Sequence, residues 1–234
     1  MKKMVFALAL AVAVGFTAAV GLCVRTMVSP TQAGAIEGGM RVVLDAGHGG
    51  IDGGVVGITT KTKESDLNLA ITYKLKSELE DMGFEVVLTR KTEAGLYDAA
   101  TKGFKRRDME KRREIILEQT PGMVLSIHQN FYPSKSARGG QVFYRKDSET
   151  GELLASEIQT CLNEMPQAVQ KTTSLVGDYY MVNCTEYASV ICECGFLNNE
   201  EDEALLITEE YQKALAEAIF KGIVAYLSKP AVKG

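Results

Sequence analysis

At 234 residues, 46% of them hydrophobic, the chain is long enough to bury one domain-sized core. Its formal net charge of -4 argues against a nucleic-acid binder, which works by neutralising phosphates. The five cysteines lack zinc-finger spacing, and with only two histidines any imidazole-based metal or acid–base chemistry is confined to two positions.

Lys2 and Lys3 precede an uncharged, apolar run from Met4 to Val24. As a helix that run would rise about 30 Å, enough to cross a bilayer core, whereas the apolar part of a signal peptide is about 7–15 residues. Residues 1–28 therefore read as an uncleaved membrane anchor, with a cleaved signal ending near Ala33-Gly34-Ala35 as the alternative. The leading positive charges put the rest of the chain outside the cytoplasmic membrane. Residues 29–39, rich in Gly, Ala, Pro, Ser and Thr, read as a linker, and residues 40–230 as the folded domain.

Strand and helix patterns then alternate. Met40–Asp45 is a short apolar run, hence a buried strand. Leu67, Ala70, Ile71, Leu75 and Leu79 predict a helix over 65–82, capped by Ser65 and stopped by Gly83. A strand over 85–89 and a charged helix over 105–119, with Ile115 and Ile116 inward, come next. Strands over 123–128 and 140–144, a helix over 153–162, strands over 179–182 and 189–194, and a closing helix over 211–227 complete the pattern. Such alternation predicts a single α/β domain: a twisted, mostly parallel sheet with helices on both faces, preceded by the N-terminal hydrophobic helix. Cys192 and Cys194 fall on one face of their strand, poorly placed to bridge, and no disulfide framework is expected.

In open α/β sheets ligands gather beyond the carboxyl ends of the strands. His48 follows the first strand in a glycine-rich loop, and His128 ends the third. Either alone reads as well as a hydrogen-bonded structural histidine; the pair raises a metal site. A catalytic zinc commonly takes two His and one Glu and keeps a water position open, and Glu64 is a candidate third ligand. Acids at helix starts also serve the dipole without any metal. Glu193 interrupts an apolar strand, and a buried carboxylate needs a cation, a metal or a catalytic duty to offset its desolvation.

Five segments carry a resemblance: 44–52 (LDAGHGGID), 64–69 (ESDLNL), 88–90 (LTR), 126–130 (SIHQN) and 192–199 (CECGFLNN). In that order they resemble the zinc-dependent N-acetylmuramoyl-L-alanine amidase family, and within it the spore-cortex, germination-specific CwlD type. The resemblance implies zinc held by His48, Glu64 and His128, with Glu193 as the catalytic residue and Arg112 matching an arginine ahead of the third strand. It implies cleavage of the amide between N-acetylmuramic acid and L-alanine in peptidoglycan, in the spore cortex a step before muramic-lactam formation. Leu117, Gly122 and Ala46 depart from the family's usual Asn, Asp and Pro, and cysteines flank Glu193 where aliphatic residues are usual. Asp45, or another polar group nearby, is expected to orient His48. The implied setting is the cell envelope, membrane-anchored or secreted, including the space around the forespore, with an activating protein partner. Two other readings fit the same residues: a zinc peptidase cutting a stem-peptide bond, and a non-catalytic envelope protein on an amidase scaffold.

Overall fold

The structure is a computed structural model that describes residues 39–169 and 171–230. The expected anchor and the linker up to residue 38 lie outside the described residues. Among the described residues no helix is long and apolar enough to cross a membrane.

Six strands form one sheet: β1 (Arg41–Ala46), β2 (Glu85–Leu88), β3 (Met123–Asn130), β4 (Gln141–Tyr144), β5 (Leu175–Val176) and β6 (Ala188–Phe196). Their order is β2-β1-β3-β6-β4-β5. The first four in that order run parallel, and β4 turns antiparallel to β6, so the sheet is mixed. The helices are α1 (Glu64–Asp81), α2 (Phe104–Gln119), α3 (Glu149–Asn163), α4 (Tyr180–Asn183), α5 (Glu200–Leu206) and α6 (Glu209–Leu227).

One face carries the larger core. Leu67, Ile71, Leu75 and Leu79 recur every fourth residue on α1, as a helix stripe must, and none is more than 4% exposed. They pack with Leu154 and Ile158 of α3 and Leu215 and Ile219 of α6 over Val42, Leu44, Leu125 and Cys192. Burying each such Leu or Ile side chain contributes roughly 1.5–3 kcal/mol. The opposite face is thin: Val43, Val124 and Ile191 meet Ile116 of α2 and Met181 and Val182 of α4. Helices on both faces follow from the crossovers, since α1 covers one side between β1 and β2 and α2 the other between β2 and β3.

On the thin face the strands change character toward their carboxyl ends. Val43 is followed by Asp45, Val124 by Ser126 and His128, and Ile191 by Glu193, two residues apart and so on the same face. β2 and β3 flank β1 on opposite sides, so the chain switches direction there and opens the crevice in which such folds bind ligands.

Several sequence-based expectations need correction. Residues 180–183 form a short helix, not a strand, because one half-buried apolar turn carries no period that separates the two. Ser65 lies inside α1, whose N-cap is Lys63. Ile116 is buried while Ile115 is only half-buried. Two elements were not anticipated: the two-residue β5, with both side chains exposed, and α5, capped by Asn199. Cys161, Cys184, Cys192 and Cys194 are free thiols, and the last two are wholly buried in the larger core.

Candidate metal centre

The loop after β1, the first residue of α1 and the carboxyl-terminal parts of β3 and β6 meet at one rim of the sheet. His48 sits in left-handed backbone at φ 62, a conformation uncommon for a residue with a side chain. Two arginines, neither more than 2% exposed, hold it there. Arg112 donates to the carbonyls of Ala46 at 2.8 Å and His48 at 2.6 Å, and its charge is matched by Asp45 and Asp108. Arg90 donates to Ala46, Gly47 and Ser65 carbonyls, tying the loop to the start of α1.

Glu64, the first residue of α1 and 2% exposed, is the hub. Its Oε1 lies 3.2 Å from His48 Nε2 and 3.0 Å from His128 Nδ1. The same oxygen accepts from Gln129 N at 3.1 Å and Asn68 Nδ2 at 3.2 Å, while Oε2 accepts from Val55 N at 2.8 Å. Burial opposes ionisation of this carboxyl, but the bonds and charges of the two imidazoles outweigh it and hold the pKa far below the usual range. Burial likewise disfavours a charged His128, yet Glu64 and Glu193 raise its pKa on balance.

Glycine makes this convergence possible at two points. A Cβ on Gly47 would stand 2.2 Å from the His128 ring, and one on Gly54 would stand 2.3 Å from Glu64 Oε2. Either side chain would evict a member of the cluster.

One ligand atom each from His48, Glu64 and His128 lies within 4.8 Å of the others. Two imidazoles and an ionised carboxylate so grouped fit a divalent ion such as zinc. His48 Nδ1 is 3.2 Å from Asp52 Oδ2, whose other oxygen is 3.1 Å from Lys105 Nζ. The residue that orients His48 is therefore Asp52. Asp45 points instead to Thr89, Ser126 and Arg112, and is fully buried.

Glu193 is the register partner of His128 on the neighbouring strand. It is 8% exposed, and its Oε2 is buried without a hydrogen-bond partner. Burial pushes its pKa up to about 7, with Glu64 adding to the rise and both imidazoles opposing it. Beside this group a cavity of about 240 Å³ is lined by His48, His128, Tyr97, Phe104, Tyr179 and Met181. The sequence-predicted residues thus converge. Sequence reasoning gave no role to Asp52, Asn68 and Gln129, although each lies in one of the segments that carry the resemblance.

A two-sided α/β sheet with a His–Glu–His cluster able to hold a metal ion, and a buried glutamate beside it at the switch point, is the arrangement of a hydrolase with a metal-type site. The model of the N-acetylmuramoyl-L-alanine amidase family matches residues 42–225. The chain belongs to that family, whose members hydrolyse the amide between N-acetylmuramic acid and L-alanine. It is 34% identical over 195 residues to the germination-specific N-acetylmuramoyl-L-alanine amidase of Bacillus subtilis strain 168, covering 82% of this chain and 81% of that one. Among solved structures, the CwlD amidase of Clostridioides difficile, in complex with the GerS lipoprotein, superposes with a TM-score of 0.78 at 37% identity, covering 81% of this chain and 98% of that one. An N-acetylmuramoyl-L-alanine amidase of Clostridium difficile 630 gives 0.73 at 28%, covering 82% and 99%.

Proposed function

We propose that this amidase works with zinc held by His48, Glu64 and His128, and with Glu193 as its catalytic acid–base residue. One observation carries the reading. A carboxyl with an unpartnered buried oxygen stands beside His128, at the mouth of a three-residue donor cluster. A zinc ion in that cluster would polarise the amide carbonyl and bring the pKa of a bound water toward about 7.

The chain's own residues do the rest. Asp52 stands at His48 Nδ1 and would accept its proton, a tautomer that would leave Nε2 free for a metal ion held between it and Glu64. Glu64 stays ionised. Glu193 takes a proton from water as its oxygen attacks the carbonyl carbon, then passes that proton to the L-Ala nitrogen as the C–N bond breaks. Burial raises the Glu193 pKa above the usual carboxylate range, which favours its taking up a proton. The apolar wall of Tyr97, Phe104 and Met181 keeps bulk water from one side of the reacting groups.

The substrate is peptidoglycan, and likeness to the germination-specific amidase supports a role in the spore cortex ahead of muramic-lactam formation. The apolar run at Met4–Val24 supports action outside the cytoplasmic membrane, tethered or secreted, and in a spore former the space around the forespore. That CwlD is seen with the GerS lipoprotein supports a protein partner for this chain as well.

The test is metal analysis of the purified full chain, followed by digestion of purified peptidoglycan. Equimolar zinc, lost to a chelator together with activity, and stem peptides released with a free L-Ala amine are expected. Cleavage that leaves every L-Ala joined to muramic acid would overturn the bond assignment.

A further inference from the structure

Far from the donor cluster, α5 carries two neighbouring acids with different tasks. Asp202 accepts from Phe196 N at 3.0 Å and Gly139 N at 2.8 Å, and so rivets α5 to the end of β6, the strand that bears Glu193. Glu203, 1% exposed, reaches the other way. Its Oε1 accepts from Thr60 N and Thr60 Oγ1, both at 2.7 Å, and its Oε2 from Thr59 N at 2.9 Å. These bonds span more than 140 residues of chain.

The segment so gripped is the tip of a small turn before α1. Val56 and Lys63 form an antiparallel bridge, and Gly57 N donates to Thr62 O at 2.9 Å. At the base of that turn the Val55 N–H holds Glu64 Oε2, and the Val55 carbonyl accepts from Glu64 N at 2.8 Å. The fit at the tip is close, because a Cβ on Gly57 would lie 2.3 Å from Glu203 Oε1.

The tip of a polar turn gains little from apolar burial, so its position depends on these hydrogen bonds. We propose that Glu203 is a positioning residue for the metal centre, pinning the 53–63 turn so that Val55 presents Glu64 to the ion. This rests on the reading of His48, Glu64 and His128 as zinc ligands. Through Asp202 and Glu203 together, α5 brackets the strand of the acid–base residue and the turn behind the carboxylate ligand.

Glu203→Gln and, as a milder change, Thr60→Val in the full chain test this by zinc affinity in competition with a chelator, beside thermal unfolding of the zinc-free protein. Removing a direct outer-shell partner of a metal ligand costs about 10–100-fold in affinity, and because Glu203 acts one step further back, through the turn and Val55, a loss at or below the lower end of that range is expected for Glu203→Gln. Activity should recover toward the parent value when zinc is raised to saturation. Thr60→Val should show a smaller loss in the same direction and serves if Glu203→Gln does not fold. Parent-like zinc affinity in the folded variants, even with a lowered unfolding temperature, overturns the proposal, since a purely structural role predicts that pattern. A parent chain that binds no zinc overturns the ligand reading itself, and this inference with it.

Discussion

The loop after β1 and the end of β6 meet at one rim, yet one is saturated with hydrogen bonds and the other is nearly bare. Around His48 two buried arginines and Asp52 occupy almost every polar group, and Glu64 beside it accepts bonds on both oxygens. Glu193 reaches the same space with a buried Oε2 that has no hydrogen-bond partner among the described residues. The difference suits the two tasks proposed for these residues. A metal ligand must keep its place and charge, which many donors enforce, whereas a proton carrier must change charge, which a crowded shell would prevent.

The largest expected effect breaks the bare side. Glu193→Gln should lower turnover of muramyl-peptide by about 10²–10⁴-fold while zinc content and unfolding temperature stay at or above the parent's. Parent-like turnover would remove Glu193 from the mechanism.

On the saturated side the loss should appear as stability. Arg112→Met strands Asp45 and Asp108 without their buried cation, at a cost of about 3–5 kcal/mol, measurable by urea unfolding. An unchanged unfolding midpoint would show that the loop does not depend on this guanidinium.

Acid offers a gentler probe of the same region. Burial alone would raise the Asp45 pKa, but Arg112, Ser126 and Thr89 together lower it to about 2. A folded-state pKa below the unfolded one means the contribution is complete above about pH 4 and fades as pH falls toward 2. Its size is roughly 2 kcal/mol. Asp45→Asn should flatten the stability curve across that window, and an unaltered acid limb would assign the loss to other groups.

Much of this arrangement was legible in the sequence, for a physical reason. His48, His128 and Glu193 stand out because each interrupts or ends an apolar strand, where a polar group has to be accounted for. Glu64 was legible as a candidate third ligand, but an acid opening a helix has an ordinary explanation, and only the family resemblance singled it out. The bracing was not legible: Arg112 to Asp45 and Glu203 to Thr60 join residues 67 and 143 apart, and no local pattern records such pairs. The identity of the His48 partner turned on loop geometry, which brings Asp52 round to Nδ1 while the strand points Asp45 inward. The helical turn at 180–183 and the acidic α5 are too short for periodicity to declare them.

The pairing of His128 with Glu193 across β3 and β6 bears on when the molecule first becomes an enzyme. A slip of one residue between those strands would present Cys192 or Cys194 where the carboxyl belongs. On the role proposed for Glu193, a chain misaligned there lacks its acid–base group, so activity arrives only with the final alignment of β3 and β6.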